Sequence, residues 1–130
     1  MTALKKVLIV DDDPDILDQV EHVLKANGYE VHAIDTAAQA EEFLTAHQPD
    51  LAIVDLMMEQ MDSGFVLCHQ IKRLYPNMPI IMLTAVRAAT GLGFDAKTPE
   101  AKSWIKADCV LDKPVRSEEL MNSVRKLLQA

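Results

Sequence analysis

Cysteine is scarce in this 130-residue chain: Cys68 and Cys109 both lie in apolar contexts, where reduced core residues are favoured over a disulfide or a metal pair. The length suffices to bury a core without such staples and fits one domain, residues 1–130, with no output domain expected. No apolar run approaches a membrane span, so no membrane insertion is expected. The start, Met1-Thr2-Ala3-Leu4-Lys5-Lys6, lacks the hydrophobic region and cleavage site of a signal peptide, which points to the cytoplasm. Positive charge is in deficit as well. Thirteen Lys and Arg stand against 20 Asp and Glu, a net charge of −7, and this argues against direct DNA binding, which rests on clustered Lys and Arg. The histidines, His22, His32, His47 and His69, share no metal-ligand spacing. Repeats, low-complexity segments and linkers are absent too, and 49% hydrophobic with 25% charged residues is ordinary for a globular protein.

What the chain does have is five short apolar runs, three of which end in a polar residue suited to phosphate chemistry. Asp11 and Asp12 follow Val7-Leu8-Ile9-Val10, Asp55 follows Leu51-Ala52-Ile53-Val54, and Thr84 follows Ile80-Ile81-Met82-Leu83. The last run, Cys109-Val110-Leu111, is followed by Lys113-Pro114, and the remaining strand is read at 29–34. Between them lie helical signals. Asp13 is placed to cap a helix opening at Pro14, with Ile16, Val20, Val23 and Leu24 at helical spacing until Gly28. Thr36 and Gln39 form a capping box for a second helix that buries Ala40, Phe43 and Leu44. A third helix is expected at 64–74 with Val66, Leu67, Ile71 and Leu74 inward. The segment 85–97 reads as a long loop, 98–106 as a short helix anchored by Trp104 and Ile105, and a final helix, capped by Ser117, buries Leu120, Val124, Leu127 and Leu128. Five β-α units predict a three-layer α/β/α sandwich around a doubly wound parallel sheet.

In such a sheet ligands bind where the carboxyl ends of the strands converge. Asp11, Asp12 and Asp55 brought together without a counter-ion would repel strongly, and a divalent cation resolves the conflict. Mg²⁺ suits the site because it is hard, prefers oxygen and binds through one or two carboxylates with waters and a phosphate oxygen. Asp55 is then a carboxylate nucleophile of the kind that forms aspartyl phosphates, with Lys113 a compact positive charge and Thr84 a hydroxyl donor for the phosphoryl oxygens.

At these residues the chain resembles the receiver domains of two-component response regulators. Val10-Asp11-Asp12, the stretch 50–58 around Asp55, the stretch 79–85, and Leu111-Asp112-Lys113-Pro114 match that family's signatures in order, and the resemblance covers essentially the whole chain. It implies a flavodoxin-like five-stranded sheet in the order 2-1-3-4-5. By position it makes Asp55 the phospho-acceptor, Asp11 and Asp12 the acidic pair for Mg²⁺, and the Met57 backbone carbonyl a further ligand. Thr84 becomes the switch hydroxyl and Lys113 the phosphate-contacting lysine before a cis Lys113-Pro114 bond. The implied activity is that of a signalling phospho-acceptor rather than an enzyme with an external substrate. A sensor histidine kinase or a phosphotransfer protein supplies the phosphoryl group, and output passes to a downstream protein target, a relay protein or a homodimer.

Three features depart from the family pattern. Val110 stands where most relatives carry Tyr or Phe, the interval from Thr84 to Lys113 is longer than usual, and Glu59-Gln60 replaces a common Pro-Gly. These imply a nonstandard partner face. Rival readings of the same residues are a phosphorylation-independent receiver-like scaffold, a small phosphatase using Asp11 as nucleophile, and a flavodoxin-type binding module. The position of Asp15 speaks against the phosphatase, and the acidic first loop against the flavodoxin reading.

Overall fold

Strands β1 (Lys6–Val10), β2 (Glu30–Ile34), β3 (Leu51–Asp55), β4 (Ile80–Thr84) and β5 (Cys109–Asp112) form one sheet in the computed structural model, which describes residues 5–56, 63–84, 108–112 and 116–129. All four pairings are parallel and the order is β2-β1-β3-β4-β5, as the resemblance implied. The three inner strands are near-continuous apolar runs because both of their faces are covered: every residue of β3 and β4 is buried. The edge strand β2 is only partly buried.

The helices among the described residues are α1 (Pro14–Ala26), α2 (Ala37–Ala46), α3 (Ser63–Leu74) and α4 (Ser117–Gln129). Strand parity divides the core between them. Leu8, Val10, Ala52, Val54, Ile80 and Met82 leave one face and pack with Ala40 and Leu44 of α2 and Leu67, Cys68 and Ile71 of α3. Val7, Ile9, Leu51, Ile53, Ile81 and Leu83 leave the other and meet Val20 and Leu24 of α1 and Leu120, Met121 and Val124 of α4. The result is the three-layer sandwich expected from the sequence.

Local chemistry sets the helix ends. Asp13 caps α1, its side chain accepting the Asp15 amide, and Pro14 takes the first helical position, where a missing N–H is harmless. At the other end Gly28 adopts φ +89°, and the amides of Gly28 and Tyr29 donate to the carbonyls of Lys25 and Leu24, a Schellman-type closure that asks for a residue without a β-carbon. Thr36 caps α2 by accepting the Gln39 amide at 3.1 Å.

The amino edge of the sheet is tied down separately. Lys72 Nζ donates to the Met78 carbonyl at 2.7 Å and to Asp108 Oδ2 at 2.9 Å, and the same carboxylate oxygen accepts the Ile80 amide at 2.8 Å. Asp50 accepts the Lys6 amide at 2.8 Å.

Two details differ from the sequence reading. Val66 and Leu74 are 46% and 50% exposed rather than inward: the core stripe of α3 runs through Gly64, Leu67, Cys68 and Ile71, Val66 lies on the other side of the helix, and Leu74, in line with the stripe, is the last residue of α3. Ser117 is the first residue of α4 rather than its cap, and the Arg116 carbonyl accepts the Leu120 amide. Cys68 and Cys109 are both free thiols, Cys68 in the core and Cys109 half-buried. The segment 85–97, the helix at 98–106 with Trp104 and Ile105, and Glu59-Gln60 lie outside the described residues.

Candidate functional site

The carboxyl edge is assembled by register. Val10 pairs with Val54 across β1 and β3, so the next residues, Asp11 and Asp55, face each other where the two strands end. Both share the parity of Val7, Ile9, Leu51 and Ile53, and both are buried. Asp12, one residue on, is exposed. One carboxylate oxygen from each of Asp11, Asp12 and Asp55 lies within 4.8 Å of the others, a group able to hold a metal ion.

The edge is held by backbone bonds. The Asp11 amide donates to the Ile34 carbonyl at 3.1 Å, continuing the β1–β2 ladder, and Asp11 Oδ1 accepts the Asp13 amide at 2.9 Å. Asp13 therefore joins two roles: its amide orients the buried carboxylate while its side chain caps α1. On the far side the Leu56 amide donates to the Leu83 carbonyl at 2.8 Å, carrying the β3–β4 pairing one residue past Asp55. Thr84, buried at the end of β4, follows Leu83, the register partner of Asp55. The hydroxyl thus reaches the same edge from the neighbouring strand, with the parity of Ile80 and Met82. In turn Thr84 pairs with Asp112, the residue before Lys113. Lys113 and Met57 lie outside the described residues.

Carboxylates this close, two of them buried, suit a cation. Two ionised carboxylates within 4.8 Å of each other would repel by roughly 3 kcal/mol or more at an effective dielectric of about 20. An all-oxygen, multiply anionic donor set fits a hard divalent ion such as Mg²⁺ better than a soft one. Two other acids are committed to the fold. A groove of about 440 Å³ at the opposite edge is lined by Asp50 and Asp108, whose carboxylates already accept backbone amides.

Val110, where an aromatic residue is usual, packs half-buried against the core cluster on the α2–α3 face. Two features were missed in the sequence. One is the Asp13 amide bond, signalled only weakly by an Asp two residues after another at a strand end. The other is Gly64, the second residue of α3, whose amide donates to the Leu56 carbonyl at 2.9 Å. A glycine opening a helix, where caps and good helix formers are the norm, is the signal that would have found it.

An open α/β sheet in the order 2-1-3-4-5, with buried carboxylates converging at its carboxyl edge, defines the class as a flavodoxin-like domain with an acidic edge site. Residues 7–125 match the response regulator receiver domain model, and the chain belongs to that family. Among curated relatives it is 37% identical over 123 residues to the heme response regulator HssR of Staphylococcus saprophyticus, covering 94% of this chain and 50% of that protein. It is 34% identical over 130 residues to the DNA-binding dual master transcriptional regulator RpaA of a Synechocystis species, covering 97% and 50%. The chain thus spans about half the length of the curated relatives it matches. Among solved structures, a CheY-like receiver domain protein from Methanospirillum hungatei superimposes with a TM-score of 0.83 at 29% identity, covering 98% and 95% of the two chains. The chemotaxis response regulator CheY4 of Vibrio cholerae gives 0.81 at 27%, covering 97% and 100%. Residues 7–125 of the chain are thus a receiver domain of the two-component type.

Proposed function

We propose that Asp55 is the phospho-acceptor of this receiver and that Mg²⁺, held by Asp11, Asp12 and Asp55 with the Met57 carbonyl, is its cofactor. The observation that carries the reading is the register of β1 against β3, which sets Asp11 opposite Asp55 in a group of three carboxylates. In the transfer, an oxygen of Asp55 attacks the phosphorus of a phosphohistidine on a sensor histidine kinase or phosphotransfer protein. The new O–P bond forms as the N–P bond breaks, and the departing imidazole nitrogen keeps the bonding pair and takes up a proton. Little covalent chemistry is asked of the domain, whose part is positioning and charge. When bound, Mg²⁺ would neutralise the carboxylates and the incoming phosphoryl oxygens. The chain's own residues do the rest. The Asp13 amide orients Asp11, the β3–β4 ladder fixes the height of Asp55, Thr84 donates its hydroxyl, and Lys113 offers a point charge.

Phosphorylation then changes affinity for a protein partner: a downstream target, a relay protein or a second copy. The net charge of −7 supports a domain that does not itself touch DNA. Among the described residues no helix is long and apolar enough to cross a membrane. The test is intact-protein mass after incubation with acetyl phosphate, with and without Mg²⁺, on the wild type and on Asp55→Asn. One added phosphoryl group that needs both Mg²⁺ and Asp55 is expected. An unmodified wild type under every condition would overturn the reading in favour of a phosphorylation-independent scaffold.

A further inference from the structure

We propose that Gly64 is a positioning residue for Asp55: the start of α3 rests directly on the Asp55–Leu56 peptide, and only the absence of a side chain lets the acceptor carboxylate sit at the height the site requires. The inference rests on the phospho-acceptor reading of Asp55 and adds a part of the machinery to it.

Gly64 is buried, and a β-carbon built on it would lie 2.5 Å from Leu56 Cα, 2.6 Å from the Leu56 carbonyl oxygen, and closer still to the Asp55 carbonyl oxygen. All three neighbours are backbone atoms, so no rotamer change relieves the crowding. Nor is the glycine there for its conformational range. Among the described residues only Gly28 has positive φ, so alanine at position 64 meets no dihedral penalty and its effect is purely one of room. Neither side of the contact is loose. The Leu56 amide is bonded to the Leu83 carbonyl at 2.8 Å and the Leu56 carbonyl accepts the Gly64 amide at 2.9 Å, while α3 is keyed into the core by Leu67, Cys68 and Ile71. Added bulk must therefore be shared between the helix and the peptide. The peptide begins at the Asp55 carbonyl, one bond from the Cα that carries the acceptor carboxylate, so its displacement moves the nucleophile relative to Asp11 and Asp12.

The test compares the wild type, Gly64→Ala and Ile71→Val, the last removing a methylene from the same helix at a residue that takes no part in the site. Four quantities are read: Mg²⁺ affinity by calorimetry, the kcat and KM for modification by acetyl phosphate, and Tm. Gly64→Ala is expected to weaken Mg²⁺ binding and lower kcat by ~10- to 100-fold, the scale on which a misplacement of about 1 Å acts, with KM for the donor little changed. Ile71→Val should lower Tm while leaving Mg²⁺ affinity and kcat at wild-type values. Wild-type Mg²⁺ affinity and kcat in Gly64→Ala would overturn the proposal. So would losses in Ile71→Val that scale with Tm just as they do in Gly64→Ala, because the role would then be structural. Should Gly64→Ala unfold in plain buffer, the readings are repeated in sucrose, which favours the compact state, and a variant still unfolded there also overturns it. A wild type that binds Mg²⁺ yet never gains a phosphoryl group defeats the acceptor reading instead, and Mg²⁺ affinity alone then decides whether Gly64 positions Asp55.

Discussion

Cys68 shows how strongly the interior of this domain resists charge. Burial pushes its thiol from 9.0 up to about 12, against a smaller lowering by Lys72 and a smaller raising by Asp108. In the unfolded chain the thiol ionises near its ordinary value, so above pH 9 the folded state holds a proton that the unfolded state has released. Stability from this group is therefore complete below pH 9 and is lost as pH rises towards 12, costing about 2 kcal/mol by pH ~10.5. Urea unfolding at a series of pH values should show a shallower alkaline decline for Cys68→Ala than for the wild type, and parallel declines would contradict the account. The same burial makes this thiol a poor nucleophile at neutral pH, while Cys109 is half-buried with its Sγ 3.7 Å from Ser123 Oγ.

Among the elements, the first loop carries the closest coupling between stability and site. Asp13→Ala removes the cap of α1 and should cost ~1 kcal/mol of unfolding free energy, while the backbone amide that holds Asp11 survives the substitution. Chemical denaturation should show that loss, and Mg²⁺ affinity should fall by less than in Asp11→Asn, which keeps the shape of the side chain and removes its charge. Legibility in the sequence follows the same division. The elements announced by local chemistry were read correctly: the Asp13-Pro14 start, the Gly28 stop, the Thr36 cap and the apolar strands, whose order agrees with the resemblance. The convergence of Asp11, Asp12 and Asp55 was readable for the same reason, since each stands at the end of a strand. The orientation of α3 was not. Valine and leucine at 66 and 74 fit an apolar stripe as well as Leu67 and Ile71 do, and only docking on the sheet selects the face through Gly64 and Cys68. Gly64 itself escaped notice because its reason lies eight and nine residues upstream, in the Leu56 and Asp55 backbone at the end of β3, a tertiary contact whose one local trace is a glycine opening a helix.

For the whole molecule, the edge that carries the carboxylates and the edge that carries the clamp lie at opposite ends of the same strands. Lys72, Asp108 and the start of β4 are locked together where the strands begin, while at the other end like charges are gathered. An acidic mouth on a domain of net charge −7 is a potential hill for any small anion that approaches it. Encounter with acetyl phosphate should therefore quicken as ionic strength rises and the Debye length shrinks from about 30 Å at 0.01 M to ~10 Å at 0.1 M. Modification rates measured at fixed Mg²⁺ across that range would show it, and a rate that falls with added salt would mean that the local field is positive. A protein donor with a basic rim faces the reverse slope, descending towards the same carboxylates and slowing as salt is added. The sign of the salt dependence thus separates adventitious chemical donors from a partner built for this surface, so the repulsion that makes the site costly to assemble also serves as a kinetic filter on who may use it.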